Sequence, residues 1–117
     1  MKSISLLLLC LLGGAAHAQT PAQAQPPKTP AEVTLSQITL YQTGIELGCK
    51  DSGRKNGDSV QKVTAFCDCV IQVLKEDVTE DEWRRAYVFA AGGKPQEEAR
   101  ILDAHIGKTR SCRAESK

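Results

Sequence analysis

The clearest chemistry in this chain belongs to Cys67 and Cys69, which are separated by one residue and lie between Cys49 and Cys112. An α-helix turns by about 100° per residue, so side chains two positions apart point about 200° apart around its axis. Cys67 and Cys69 cannot easily bond to each other from one helix, because a disulfide needs Cβ atoms about 3.8 Å apart. We therefore expect that helix to be stapled to two different neighbours.

Excluding a Cys67–Cys69 bond leaves two of the three pairings that four cysteines allow. We prefer Cys49–Cys67 with Cys69–Cys112 over the crossed pairing, because these partners are nearer in sequence. From loop-closure entropy the two bridges would contribute about 3 and about 4 kcal/mol. That sum is comparable with the whole stability of a small domain.

The same cysteines allow a second interpretation, in which Cys67 and Cys69 are free thiolates that handle copper(I) or zinc or exchange with disulfides. The pair lies inside a helical pattern, and no second Cys-x-Cys or Cys-x-x-Cys completes a zinc spacing. We therefore favour disulfides and predict no cofactor and no metal, and keep a periplasmic redox or copper-handling protein as the alternative function.

His105 is the one histidine outside the N-terminal leader. It could act as a general base or a metal ligand, with Asp103 or Glu98 on the same helix. No serine lies in a nucleophile elbow, so a catalytic dyad has no evident nucleophile. We favour a locally bonded structural histidine and a non-enzymatic protein, with an enzyme assembled from these three residues as a further possibility.

An export signal precedes these residues. Met1 and Lys2 give a positive start, Ile4–Leu12 is an apolar run, and Ala16-His17-Ala18 fits the small-residue rule for cleavage after Ala18. The run is too short to cross a bilayer, which needs about 20 residues. Cleavage would remove Cys10 and leave four cysteines, so we predict a periplasmic or secreted protein with two disulfides.

The rest of the chain divides into a tether and a domain. Residues 19–29 contain Gln, Pro and Ala and no large apolar side chain, which predicts a disordered tether. Residues 30–117 should form the helical domain. Thr29, Pro30 and Glu32 form a capping-box pattern for a first helix. The glycine-containing segment 50–57 predicts the loop that ends it.

Three more helical patterns follow. Asp58 is a candidate N-cap for the second helix, Thr79 with Glu82 forms a capping box for the third, and Pro95 opens the fourth. The apolar stripes of the four helices comprise Leu35, Ile38, Tyr41, Ile45 and Cys49; Val60, Val63, Cys67, Val70, Ile71 and Leu74; Trp83, Ala86, Tyr87 and Ala90; and Ile101, Leu102, His105, Ile106, Thr109 and Cys112. With short connections, these patterns predict an all-α fold, a small disulfide-stapled up-down bundle of about four helices.

The charge pattern excludes some partners. The chain has 15 basic and 14 acidic residues, and loss of Lys2 would leave 14 of each. A neutral mature chain gives no reason to expect nucleic acid or an anionic membrane as partner. Acidic residues in 76–82 and basic residues near the C-terminus are expected to be neighbours in the bundle. The residues considered for contact with another protein are Trp83, Arg84, Tyr87 and His105.

Phe66-Cys67-Asp68-Cys69-Val70, with one cysteine before it and one after it, resembles the core of small exported bacterial helical proteins of unknown function. The resemblance covers residues 49–112 and implies a similar stapled helical fold, without an activity. The sequence shows no catalytic constellation, metal spacing or nucleotide loop, and its small rigid domain follows a tether. On these grounds we expect an exported protein that binds another envelope or extracellular protein, as an inhibitor, immunity factor or accessory subunit would.

Overall fold

A computed structural model describes residues 25–115. The predicted signal peptide, Cys10 and residues 19–24 of the predicted tether lie outside the described residues. The main helices are α1 (Leu35–Lys55), α2 (Val60–Asp77), α3 (Glu80–Ala91) and α4 (Pro95–Ile106). A 3₁₀ turn at Pro30–Glu32 precedes them, and a 3₁₀ segment at Gly107–Ser111 leads to a last helical turn, α5 (Cys112–Glu115). The described part contains no strand, which confirms the all-α prediction.

The helices form two close pairs, α1 with α2 and α3 with α4. The α1–α2 pair is antiparallel, because residue 49 lies beside residue 67 and residue 53 beside residue 63. After α4 the chain packs along α2, where Cys112 bonds Cys69. The central core collects apolar side chains from both pairs and from the segment before α1, namely Val33, Ile38, Leu74, Val78 and Trp83. The prediction of a small stapled bundle is confirmed.

The start of α1 differs from the sequence prediction. Thr29 makes no side-chain cap, and α1 begins at Leu35 behind a capping box of Thr34 with Gln37. Between the 3₁₀ turn and α1 the backbone is extended at Val33, which is 2 % exposed. A continuous helix from Pro30 would give up this extended stretch, through which Val33 reaches the core. The tertiary contact thus selects the second of two capping patterns.

The predicted loop over residues 50–57 is also wrong, because α1 continues to Lys55 and only residues 56–59 connect it to α2. Three contacts hold this extra length against α2: the Cys49–Cys67 disulfide, the Lys50–Asp68 ion pair, and the approach of Gly53 to Val63. Packing therefore supplies the stability that the glycines remove from this part of the helix. Gly57, with φ of +85°, makes the turn after the helix.

Three residues of the predicted apolar stripes are exposed for one common reason. Leu35 is the first residue of α1, Val60 the first of α2 and Ile106 the last of α4, and they are 63 %, 67 % and 49 % exposed. At a helix end the neighbouring element no longer covers the side chain. The N-cap of α2 is Ser59 rather than Asp58, since the Ser59 hydroxyl accepts from the Lys62 N–H.

The predictions for α3 and for the start of α4 are confirmed. Thr79 and Glu82 form the reciprocal capping box, and Val78 and Trp83 are both buried beside it. Gly93 has φ of +70° after α3, and Pro95 is the first residue of α4. The sequence pattern predicts that the fourth helix runs without a break to Cys112, but α4 ends at Ile106. From Gly107 the backbone tightens to a 3₁₀ form before Cys112 reaches α2.

Glycine-to-alanine changes in α1 test the close approach of α1 to α2. A Cβ on Gly53 would lie 2.7 Å and 2.8 Å from the two γ-carbons of Val63, whereas a Cβ on Gly44 meets nothing within 4 Å. We expect Gly53→Ala to lower the free energy of unfolding by about 1–2 kcal/mol, since overpacking exceeds the helix-propensity gain. Gly44→Ala, the matched control, should raise it by about 0.5–1 kcal/mol. Urea unfolding of both variants measures these changes in stability. Equal stabilisation by the two substitutions would contradict the close approach of α1 to α2.

Candidate functional site

Three consecutive residues of α2 bind three different groups. Cys67 bonds Cys49 of α1, with Cα atoms 5.9 Å apart, and Cys69 bonds Cys112, with Cα atoms 5.6 Å apart. This is the pairing preferred from the sequence. Between them, the Asp68 carboxylate lies 3.0 Å from Lys50 Nζ on α1. The ion pair lowers the pKa of Asp68 and, together with Glu46, raises the pKa of Lys50.

The alternative function, a redox or copper-handling protein, would need Cys67 and Cys69 as free thiolates. Cys67 and Cys69 are each in a disulfide, so the structure contains no resting thiolate pair at this position. Within residues 25–115, no group of three or more His, Cys, Asp or Glu side chains is arranged so that it could hold a metal ion. The chemistry of α2 in this structure is covalent cross-linking.

His105 lies where the end of α2, the start of α3 and the end of α4 meet. Its Nδ1 is 2.5 Å from a carboxylate oxygen of Asp77, and its Nε2 is 3.1 Å from one of Glu82. The contact with Glu82 lacks the direction of a hydrogen bond and is electrostatic. Lys108 Nζ binds the other oxygen of Asp77. Acidic and basic side chains from the two predicted charge clusters therefore meet here and partly neutralise each other.

This arrangement shifts the pKa values of His105, Asp77 and Glu82. Hydrogen bonding to Asp77 and the nearby Glu82 charge raise the pKa of His105, against a smaller effect of burial. Lys108 and His105 lower the pKa of Asp77, and hydrogen bonds from Thr79 lower the pKa of Glu82. The His105 side chain is 13 % exposed. The raised pKa favours the protonated imidazole, which two carboxylates hold where three helix ends meet.

The structure does not assemble the enzyme site considered from the sequence. His105 binds Asp77 and Glu82, whereas Asp103 is exposed. Glu98 accepts a hydrogen bond from the Tyr41 hydroxyl of α1. Burial and this carboxylate raise the pKa of Tyr41, so its proton stays in place. His105 and Glu98 thus have separate partners, and Asp103 takes part in neither contact.

The residues considered for contact with another protein are mostly engaged within the chain. Trp83 is 3 % exposed and packs edge-on against Tyr41, as Tyr87 does one turn further along α3. Arg84 donates to the Val33 carbonyl and also binds Glu80. It therefore fastens the segment before α1 to α3. With His105 in its carboxylate pair, these side chains stabilise the domain and present little free surface.

The outward face of α1 was missed by the sequence reasoning. Leu40 and Leu47 are 69 % and 59 % exposed and lie two turns apart on the same side of the helix. Gly44 lies between them, with open space where a side chain would be. The signal in the sequence is a second apolar repeat, opposite to the one that contains Ile38. We call Leu40, Gly44 and Leu47 the apolar stripe.

No protein-family model, no curated protein and no solved structure matches this chain. Among the described residues no helix combines the length and the apolar character needed to cross a membrane. The surfaces that the chain itself presents therefore provide the basis for inferring its function.

Replacing His105 tests the charged junction by its pH dependence. A raised pKa means that His105 adds stability fully below its ordinary value of 6.5 and loses it as pH rises through the folded-state pKa. The lowered pKa values of Asp77 and Glu82 mean that their contribution is lost when the solution becomes strongly acidic. We expect His105→Gln to destabilise most near about pH 5.5 and least near about pH 9.

Urea unfolding across this pH range measures the effect. Arg85→Gln is the control, because it breaks an exposed ion pair with Asp81 that contains no histidine. Its small effect should be the same at all these pH values. A stability difference for His105→Gln that does not change with pH would show that the junction acts by packing alone.

Proposed function

We propose that the chain is an exported, non-enzymatic protein whose stapled helical domain binds another protein through the apolar stripe of α1. The observation that carries the proposal is the wide exposure of Leu40 and Leu47 on either side of Gly44. A single exposed leucine needs no explanation, whereas two on the same side of one helix with a glycine between them form an apolar face that a partner can cover. The absence of a side chain at Gly44 allows close approach of that partner.

The polar groups beside the apolar stripe support this proposal. The Thr39 hydroxyl donates to the Leu35 carbonyl and the Thr43 hydroxyl to the Thr39 carbonyl, both within the helix. These hydroxyls already have acceptors, so a partner that covers them need not supply one. Burial of this face would therefore leave few polar groups unsatisfied.

The charged side chains of α1 nearest to the apolar stripe lie towards its C-terminal end and are paired. Glu46 is the only charged residue between Leu35 and Leu47, and it binds Lys50 at 3.0 Å. One turn further on, Asp51 binds Lys55 at 2.9 Å. A neutralised polar rim beside an apolar centre is the usual composition of a protein–protein interface. These features favour a protein partner over a nucleic acid.

The compartment is inferred from the disulfides and the leader together. Two disulfides in so small a domain are typical of an oxidising environment. The leader pattern at residues 1–18 adds the expectation of export to the periplasm or beyond the cell. We accordingly place the partner among envelope or extracellular proteins.

Capture of a partner from an envelope extract tests the proposal. The mature chain should retain a specific protein, and the double variant Leu40→Glu/Leu47→Glu should lose it, because two charges would be buried in the contact. Both leucines are exposed, so the free energy of unfolding of the double variant should lie within about 0.5 kcal/mol of the parent value. Circular dichroism and urea unfolding check this point.

Val60→Glu is the matched control, since Val60 is also an exposed apolar residue, at 67 %, and lies on α2 outside the apolar stripe. It should retain the partner. Capture that survives the double change, or that is lost equally in the control, would contradict the apolar stripe as the contact.

A further inference from the structure

Asn56 is the only asparagine of the chain, and Gly57 follows it at the point where α1 ends. Both residues are exposed, and a Cβ on Gly57 would meet nothing within 4 Å. An asparagine side chain can lose its amide without an enzyme when the next backbone nitrogen attacks it. Glycine hinders this attack least, because it has no side chain and restricts the backbone least. The pair is therefore a candidate for spontaneous chemical modification.

The reaction needs no reactant other than water. The Gly57 backbone nitrogen gives up its proton and bonds to Cγ of Asn56, while the Cγ–Nδ2 bond breaks and ammonia leaves with that proton. Water then opens the resulting cyclic succinimide at one of its carbonyl carbons. Opening at the side-chain carbonyl gives aspartate at position 56. Opening at the backbone carbonyl gives isoaspartate, in which the main chain runs through the side-chain carbon and is longer.

The structure holds the attacking nitrogen in a Schellman motif, the hydrogen-bonded turn that ends many helices. Gly57 has φ of +85° and donates its N–H to the Arg54 carbonyl at 3.1 Å. The next residue, Asp58, donates to the Gly53 carbonyl at 3.3 Å. The Gly57 nitrogen must leave its acceptor and rotate before it can reach Cγ of Asn56. The motif therefore has to open before the reaction can start.

Contacts between α1 and α2 keep this motif closed. Gly53, whose carbonyl is one of the two acceptors, lies so close to Val63 that a Cβ on it would be 2.7 Å from Cγ2 of Val63. The Cys49–Cys67 disulfide fixes α1 to α2 one turn before Gly53. Local opening is least frequent where a segment is packed and cross-linked. The rate of reaction at Asn56 thus reports how often this end of the helix pair opens.

From these observations we propose that Asn56 is a deamidation site and that the Schellman motif at the end of α1 controls its rate. Each product weakens the motif. A carboxylate at position 56 lies at the negative end of the α1 dipole, and isoaspartate changes the spacing of the hydrogen-bonding groups. Deamidation therefore marks chains in which this end has opened. The site is separate from the apolar stripe, so its failure would leave the proposed protein contact unaffected.

Incubation of the full mature chain at neutral pH, followed by peptide mapping with mass spectrometry, tests the site. The native chain should deamidate at Asn56 at least about tenfold more slowly than the reduced chain in urea, because only the open fraction reacts. Aspartate and isoaspartate should both be found at position 56. An unreactive Asn56 in the unfolded chain, or equal rates in the two states, would overturn the proposal.

A pair of glycine variants tests the control by the motif. Gly53→Ala should raise the deamidation rate of the folded chain by about fivefold or more, since the conflict with Val63 increases the open fraction. Gly44→Ala is the matched control, because it adds the same methyl group to α1 in open space and should not raise the rate. Circular dichroism checks that both variants fold. Equal rates in the parent and Gly53→Ala would overturn the control by the motif, and the comparison of native with unfolded chain does not depend on either variant.

Discussion

The divergence of Cys67 and Cys69 on α2 is the constraint on which the rest of the structure depends. Because their side chains point to different sides of one helix, α2 must lie between two partners, and the disulfides to Cys49 and Cys112 make both attachments covalent. The bridges close sequence separations of 18 and 43 residues. Each removes freedom from the unfolded chain, which matters most in a domain too small for a large core. The charged junction around His105 then fixes the remaining helix ends without a further covalent bond.

The sequence predicted those parts of the fold where local signals and tertiary contacts agree. At α3 the capping box of Thr79 with Glu82 and the burial of Trp83 favour the same start. At α1 two capping patterns compete within five residues, and local propensity cannot choose between them. The choice is made by Val33, which is buried only in extended backbone and whose carbonyl accepts from Arg84. That donor is 51 residues away, so no local pattern contains it.

The same limit applies to the functional residues. The sequence suggests carboxylate partners for His105 on its own helix, but the partners in the structure come from α2 and α3. The reason is that the meeting of three helix ends is a property of the fold. The apolar stripe was overlooked for another reason. An exposed leucine is ordinary when taken singly, and periodicity identifies the buried face of a helix more readily than a second face. Only the arrangement of Leu40, Gly44 and Leu47 on one open surface shows that they belong together.

The distribution of surfaces follows from the way α1 is held. Its inner side is fixed to α2 by the disulfide at Cys49 and by the approach of Gly53 to Val63. Its outer side carries the apolar stripe. A helix anchored in this way loses little backbone freedom when a partner covers it, so more of the contact energy is expressed as affinity. The α3–α4 pair, whose polar side chains bind each other and the helix ends, supports this arrangement without presenting a comparable face. The cross-link that stabilises the domain thus also preorganises the surface that we propose for recognition.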